Sequence, residues 1–440
     1  MTLFSFTLPL LIPLLMVTAT GDIQRFPPPD FESGYIMPEV TTPDPRSPWL
    51  SMLDVLVLAA ALSAGAYLVH TKRRRLYVFL LMLCSLIYFG FYRKGCVCAI
   101  GAIQNVSLGF FDASYAIPLS VLAFFLLPLV FTLFFGRVFC GGVCPLGAIQ
   151  DLFLIKPIPV PFWLRQALSL LAYLYLGAAV LFAAMGSAFI ICEYDPFIAF
   201  FRMDGNFNIV MLGVSLLVIG MFVGRPYCQF LCPYGVILRH LSRLSHWYVT
   251  ITPQTCHQCQ ICEDACPFGA ITLPVPETVT EADPSAHRRL LLLVLSMPVI
   301  IVFSVWIFSL AGTSFSRMDH TVRLAQRIAL EDAAQVEGYT DASKAFRDSG
   351  QPTEELFQQA QAISHRYVQA GRLLGGFIGL VIVGKLIRLT WYRKRDDYEA
   401  DRASCLACAR CFSHCPQELK RRRTSQVVPT TTASGVVTES

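Results

Sequence analysis

Long apolar runs separated by short polar or basic stretches extend over most of the chain. Such runs, of about 17 to 25 residues, are typical of helices that cross a membrane. Seven follow an apolar leader, at residues 53–70, 76–91, 117–135, 166–191, 209–223, 290–311 and 373–392. The pattern therefore predicts an α-helical integral membrane protein with about seven transmembrane helices after the leader.

The segments between these runs suggest a division of the chain. The leader, 1–20, resembles a signal peptide or an N-terminal anchor, and 21–50 is rich in proline and is expected outside the membrane. The remaining predicted parts are a five-helix membrane core with the C-x3-C-P motifs (51–245), a cytoplasmic ferredoxin-like half (246–289), a helix (290–311), a helical periplasmic domain (312–371), a helix (372–392), a second ferredoxin-like half (393–418) and a disordered tail (419–440).

Composition and charge agree with a membrane protein. Of 440 residues, 55% are hydrophobic and 15% charged, whereas soluble domains carry roughly 25% charged residues. If the basic loop 71–75 is cytoplasmic, most of the 35 Lys and Arg residues fall on that side. The positive-inside rule then places the C-terminus in the cytoplasm and the domain 312–371 in the periplasm of a bacterial inner membrane protein.

Two cysteine runs share the spacing C-x2-C-x2-C-x3-C-P. The first comprises Cys256, Cys259, Cys262 and Cys266, and the second Cys405, Cys408, Cys411 and Cys415. In bacterial ferredoxins each such run gives three thiolates to one [4Fe–4S] cluster and its fourth to the other. The spacing predicts two clusters, with Cys415 completing the first set and Cys266 the second.

A zinc site and a disulfide framework are the rival interpretations of these runs. Three cysteines at successive x2 spacings would crowd a single tetrahedral ion. Disulfides are disfavoured because the predicted topology places both runs in a reducing compartment. An even number of predicted helices separates the runs, so both should reach the same face and form one ferredoxin-like module.

A weaker repeat contains four further cysteines. Cys140 and Cys144 form one C-x3-C-P motif, Cys228 and Cys232 form another, and each follows an apolar helix and a Gly-Arg pair. In a helix, an i, i+4 spacing directs both sulfurs to one side. The four thiolates predict a third Fe–S cluster at the inner rim of the membrane, with packing cysteines or a redox-active dithiol as alternatives.

A degenerate third copy lies at 95–104, and helix parity predicts that it faces outwards. Cys96 and Cys98 in this copy, together with Cys192, would form an outer redox or metal site, whose rival is a disulfide between two of them. Cys84 is expected to be a packing residue or to line the route between the faces.

These motifs resemble those of the NosR/NapH-type membrane polyferredoxins. The segments 95–104 and 192–197 and the terminal run at Cys405 are most similar to the NosR branch, which also has a flavin-binding domain where this chain has the segment 21–50. The resemblance implies electron transfer between a cytoplasmic or quinol donor and a periplasmic acceptor, in some members linked to maturation of a periplasmic metalloenzyme.

The leading functional prediction is a membrane-bound electron-transfer protein with a periplasmic redox partner. The alternatives are a quinol-dehydrogenase subunit, or a redox-dependent assembly or regulatory factor for a periplasmic metalloenzyme. His70 and Asp54 are candidate proton carriers, although both are also expected at helix ends in the interface. No catalytic residues or nucleic-acid contacts are predicted, and membership of a larger membrane complex is left open.

Overall fold

The computed structural model describes residues 47–95, 99–158, 160–203, 205–251, 256, 259–274, 284–390 and 398–426. The leader, most of the Pro-rich segment and the end of the predicted tail lie outside these residues.

Helices dominate the described chain, as the apolar pattern predicts. The first half contains α1 Pro48–Tyr67, α2 Arg75–Ser85, α3 Ala102–Phe111, α4 Leu119–Phe135, α5 Pro145–Leu152, α6 Phe162–Leu168, α7 Leu170–Ala184, α8 Ile190–Tyr194, α9 Pro196–Arg202, α10 Phe207–Gly220, α11 Pro226–Phe230 and α12 Pro233–Leu241. The second half contains α13 Ile261–Asp264, β1 Ile271–Thr272, α14 Pro284–Phe315, α15 His320–Asp332, α16 Asp341–Asp348, α17 Thr353–Thr390, β2 Glu399–Ala400, α18 Arg410–His414 and α19 Pro416–Gln426.

All seven predicted apolar runs are largely helical, although the run 166–191 covers the end of α6, all of α7 and the start of α8. Among the described residues, five helical segments are long and apolar enough to cross a membrane, and α9 with α10 would make a sixth if this bent pair is one span. Helix α4 is apolar but has only 17 residues. A helical membrane protein is confirmed at this level, while the number of seven spans stays a prediction.

Helices α14 and α17 pack closely in opposite directions. A Cβ atom added to Gly371 would lie 2.5 Å from the Phe308 carbonyl oxygen, and one added to Gly375 would lie 2.7 Å from that of Ser304. Small residues spaced by four let two membrane helices approach at backbone distance. The glycine row therefore fixes α17 against α14 and brings the end of α17 back to the end of the bundle where α14 begins.

A small helical unit lies at the other end of this hairpin. Asp319 caps α15 by accepting hydrogen bonds from the backbone N–H groups of Thr321 and Val322. Helices α15, α16 and the start of α17 share a core of Val322, Ala325, Ile328, Phe346, Leu356 and Ala360. The unit thus combines a continuous extension of α14 and α17 with two short helices packed on it.

Asp54 differs from the interfacial residue that its sequence position suggests. Its side chain is buried, lies 3.0 Å from the Arg93 guanidinium and accepts a hydrogen bond of 2.8 Å from the Tyr88 hydroxyl. His70 is half-buried and its Nε2 lies 3.0 Å from the Phe135 carbonyl oxygen. Both residues have structural partners because an unpaired polar group among apolar helices would be costly.

Candidate iron–sulfur sites

The two cysteine runs fold against each other. Strand β1, just after the first run, pairs antiparallel with β2, just before the second, with Ile271 opposite Ala400. The Asp401 amide adds a hydrogen bond of 2.8 Å to the Ala270 carbonyl. Helices α13 and α18, one from each run, also pack together. The distant segments thereby form one unit, as their spacing predicts.

The first three cysteines of the first run face the last cysteine of the second. Burial raises the pKa of the Cys262 thiol to about 11, and the neighbouring Cys256, Cys259 and Cys415 contribute to the increase. Cys262, Cys256 and Cys411 also contact a common apolar cluster with Ile271 and Tyr398. We call Cys256, Cys259, Cys262 and Cys415 the first crossed set.

The second crossed set consists of Cys405, Cys408, Cys411 and Cys266. Burial raises the pKa of Cys411 well above its usual value, and its thiol neighbours are the other three members of the set. Burial likewise raises the pKa of Cys405 to about 12. Since a thiol must lose its proton to bind iron, cluster assembly would displace protons that these buried sulfurs otherwise keep.

The C-x3-C-P motifs have a local geometry that differs from the predicted helix. Cys140 lies in a wide π-helical turn, whereas Cys144 is extended and precedes α5. Similarly, Cys228 lies in the short α11 and Cys232 is extended before α12. The expectation of a continuous i, i+4 helix was wrong because the proline after each second cysteine disfavours helix at the preceding residue and starts a new helix.

The four sulfurs of these motifs nevertheless converge. Burial raises the pKa of Cys232 well above its usual value, and Cys228, Cys144 and Cys140 are its thiol neighbours. All four cysteines are at most 9% exposed. We call them the membrane-rim set.

Polar groups of the chain donate hydrogen bonds to the sulfurs of this set. Gln150 Nε2 lies 3.4 Å from Cys228 Sγ, the Gly235 amide lies 3.3 Å from Cys232 Sγ, and Arg137 Nη2 lies 3.7 Å from Cys140 Sγ. Gln150 is completely buried and Arg137 is 2% exposed. Donors aimed at sulfur are one means by which a protein adjusts the potential of an Fe–S cluster.

A buried charge network joins the membrane-rim set to the second crossed set. Arg225 is completely buried, donates to the Cys140 carbonyl and lies 3.4 Å from Asp151. Asp151 also pairs with Arg75 and Arg410, and Arg75 donates to the Cys408 carbonyl over 3.1 Å. Burial alone would raise the pKa of Asp151, but the three guanidinium groups hold it well below its usual value.

The two sets are also in direct backbone contact. A Cβ atom added to Gly141, between Cys140 and Cys144, would lie 2.8 Å from the Ala407 carbonyl oxygen and closer still to that of Leu406. Only a glycine allows this approach, so the loop between Cys405 and Cys408 packs directly on the membrane-rim motif.

This contact makes a specific prediction for Gly141→Ala. The added methyl group would push the second run away, and we expect the free energy of unfolding to fall by about 1–3 kcal/mol, measured by thermal unfolding of the purified protein. The matched control is Gly142→Ala, since a Cβ atom there would meet its nearest neighbours at 3.6 and 3.7 Å. Equal transition temperatures for the two variants would contradict the contact.

Two buried glutamines reveal a symmetry that sequence reasoning missed. Gln150 Oε1 accepts a 3.0 Å hydrogen bond from the Tyr227 amide, just before Cys228. Gln104 Oε1 accepts one of the same length from the Ile191 amide, just before Cys192. The signal was visible as Ala-Ile-Gln at the same offset after Cys98 and Cys144.

The correspondence extends one step further along the chain. Asp195 caps α9 and is followed by Pro196, as Cys232 caps α12 and is followed by Pro233. The segment after Cys192 thus has a capping carboxylate three residues on, where the segment after Cys228 has a capping thiol four residues on.

Gln150→Leu is expected to lower the reduction potential of a cluster on the membrane-rim set by about 40–60 mV, since a hydrogen bond of roughly 1 kcal/mol to sulfur stabilises the reduced form. EPR-monitored redox titration measures this shift. Gln104→Leu is the control because it removes the equivalent hydrogen bond from a backbone amide, that of Ile191. It removes no hydrogen bond to sulfur, since Gln104 Nε2 has no hydrogen-bond partner in the described part of the chain. An unchanged potential in Gln150→Leu would refute the tuning role.

The predicted outer site is described only in part. Cys96 and Cys98 lie outside the described residues. Cys192 is exposed and directly follows Ile191, whose amide donates to Gln104. Cys84 is exposed on α2. The metal site and the disulfide at Cys96, Cys98 and Cys192 both stay predictions.

The described cysteines fit [4Fe–4S] clusters in their chemistry. Within the described ranges, no group of three or more His, Cys, Asp and Glu side chains surrounds a single-ion position. A cubane cluster distributes its four thiolates over four iron atoms, so its ligands are more widely spaced than those of one tetrahedral ion. Such clusters, when bound, supply one-electron oxidation and reduction.

Family models support the same chemistry. A 4Fe–4S binding domain matches residues 117–170 and 206–250, which include both C-x3-C-P motifs. A second 4Fe–4S binding domain matches 249–272, the first cysteine run. The family models therefore indicate iron–sulfur binding independently of the cysteine spacing. The number of clusters rests on the spacing alone.

Two curated proteins are similar to part of the chain. Protein NirI of Paracoccus denitrificans is 31% identical over 122 residues, which cover 27% of this chain and 18% of NirI. The putative electron transport protein YccM of Escherichia coli is 28% identical over 118 residues, covering 24% of this chain and 33% of YccM. The chain thus matches a third or less of the length of these relatives.

No solved structure matches the chain. The 4Fe–4S domains, the electron-transport relative and the apolar helices confirm the resemblance drawn from the motifs. The chain fits the NosR/NapH-type membrane polyferredoxins.

Proposed function

We propose that this protein passes electrons between a cytoplasmic or quinol donor and a periplasmic redox partner. The observation that supports this most strongly is the direct contact between the membrane-rim set and the second crossed set through Gly141 and Leu406. Electron-transfer proteins act by holding redox centres at fixed distances and adjusting their potentials, and they need no substrate pocket for this.

The chain's own residues would perform three tasks in this function. The two crossed sets and the membrane-rim set would each hold a [4Fe–4S] cluster. Gly141 and the Asp151 network keep adjacent sets together. Buried walls exclude water, and Gln150 and Arg137 direct donors at sulfur.

The proposal includes an orientation. The cysteine-rich end would face the bacterial cytoplasm because basic residues are concentrated there. The unit of α15, α16 and the start of α17 would then lie in the periplasm and provide a docking site for the partner.

The test is iron and sulfide content together with EPR on anaerobically purified protein. We expect Cys140→Ser and Cys228→Ser to remove the same one of three cluster signals and to leave the two ferredoxin-type signals. An unchanged iron content in both variants would refute the membrane-rim cluster. Clusters that dithionite reduces but that deliver no electrons to an external acceptor would favour the assembly factor instead.

A further inference from the structure

A large cavity lies between the membrane helices and the ferredoxin-like unit. Its volume is about 1890 Å³, well above the roughly 300–1,000 Å³ of ordinary small-molecule pockets. Its walls come from α6, α7, α12, the end of α17 and the segment around Cys266. It adjoins the membrane-rim set at Cys228 and the second crossed set at Cys266.

Basic side chains are concentrated at one side of this cavity. Arg239, His240, Arg243 and Lys385 all line it. Burial lowers the pKa of His240, and the charges of Arg243, Arg239, Lys385 and Arg388 lower it further. Since like charges at short range repel each other, this arrangement favours an anion among them.

The partners of these groups are neutral within the described ranges. Lys385 Nζ donates to the Gln166 carbonyl over 3.1 Å and to Ser169 Oγ. Arg239 Nη2 donates to the Gln229 carbonyl over 3.1 Å, and its Nε is buried with no hydrogen-bond partner.

The remaining charges of the lining do not neutralise this side. Arg388 pairs with Asp401 over 3.2 Å. The other lining charges are Arg137, Arg165, Glu263, Asp264, Glu399 and Arg402. Asp401 is also a charged neighbour of Arg239. Because Arg239 and Lys385 are half-buried and Asp401 is shared with Arg388, these two cations and the exposed Arg243 would gain from a bound anion.

Apolar residues of α17 continue the lining on the N-terminal side of Lys385. Phe377, Leu380 and Val381 lie one to two turns before Lys385 on α17, which is long and apolar enough to span a membrane. The cavity thus combines apolar residues of membrane helices with cations near helix ends. A phospholipid has the same arrangement, with apolar acyl chains next to a charged head group.

We propose that this cavity binds the phosphate-bearing head group of an anionic phospholipid through Arg239, Arg243 and Lys385, with the acyl chains against Phe377 and Leu380. The lipid would fill the space between the membrane helices and the ferredoxin-like unit, and would thereby act as a structural ligand. This site does not depend on the proposed electron-transfer function.

The test compares lipids on the full-length protein in neutral detergent, by native mass spectrometry and by titration. The wild type should retain dioleoyl phosphatidylglycerol. The double variant Arg239→Gln/Lys385→Gln should bind this lipid at least tenfold more weakly, since each cation near an anionic head group raises the affinity about fivefold. Arg243→Gln, at the exposed rim, should weaken it about fivefold. The control is Arg323→Gln on α15, where the side chain is exposed.

Iron content and circular dichroism identify any variant that fails to fold, and Arg243→Gln then carries the test alone. Equal retention by Arg243→Gln and the wild type would overturn the proposal. Tight binding of inorganic phosphate without retention of phosphatidylglycerol would identify a free phosphate site and overturn the lipid. Displacement of the lipid by a quinone analogue at equal affinity would also overturn it.

Discussion

Cys415→Ser is expected to abolish the cluster built on the first cysteine run and to leave the cluster on the second run. Cys415 belongs to the second run in sequence but is a thiol neighbour of Cys262 in the fold. A [4Fe–4S] cluster that loses one of four thiolates is strongly destabilised. The iron content should fall by roughly one cluster, and EPR of the dithionite-reduced protein should lose one ferredoxin-type signal.

Cys266→Ser provides the reciprocal experiment. Cys266 neighbours Cys405 and Cys408, so its replacement should remove the other signal. Cys84→Ser, at an exposed position on α2, should change neither. If Cys415→Ser and Cys405→Ser removed the same signal, each run would ligate its own cluster and the crossed assignment would be wrong.

Asp151→Asn is expected to destabilise the protein by about 3–5 kcal/mol, the usual result of leaving a buried cation without its partner. Arg225 would keep its charge in a completely buried position and lose the carboxylate with which it pairs. Because Arg75 and Arg410 also pair with Asp151, the second run should loosen at the same time. Thermal unfolding and iron retention during a detergent wash measure both effects.

The pH dependence of this effect has a definite sign. The folded pKa of Asp151 lies below its unfolded value, which is about 3.9. The stabilisation is therefore complete above the unfolded pKa, shrinks as the pH falls below that value, and is lost as the pH falls through the folded pKa. The difference in the free energy of unfolding between the wild type and Asp151→Asn should stay constant from pH 8 to about 5 and shrink below about pH 4.

Asp332→Asn is the matched control for the buried network. Asp332 pairs with Arg347 over 2.8 Å, but their side chains are 49% and 35% exposed. Exposed pairs of this kind contribute about 0–1 kcal/mol. A loss in Asp332→Asn as large as that in Asp151→Asn would show that burial is not the source of the effect.

The cysteine runs and the apolar helices could be predicted because both are local patterns. Ligand spacing within a run and the length of an apolar stretch depend on neighbouring residues alone. The approach of the two runs could be anticipated as well, since an even number of predicted helices returns the second run to the first, whereas the pairing of β1 with β2 was not predicted. Family-level comparisons agree with these patterns.

The contacts between segments could not be predicted in this way. Asp151 lies in a largely apolar stretch, and its three arginines come from the distant positions 75, 225 and 410. The conformation of the C-x3-C-P motifs was missed because the i, i+4 argument ignored the proline that follows. The buried roles of Gln104 and Gln150 require partners 87 and 77 residues away.

The crossed sets also constrain how the protein is made. The first run leaves the ribosome well before the second, and α14 and α17 must be inserted between them. A nascent chain therefore presents three ligands of an incomplete set while two hydrophobic helices are still being delivered to the membrane. We expect iron–sulfur loading of this module to follow the last insertion event, so that a defect in inserting α17 would leave the first run without its iron.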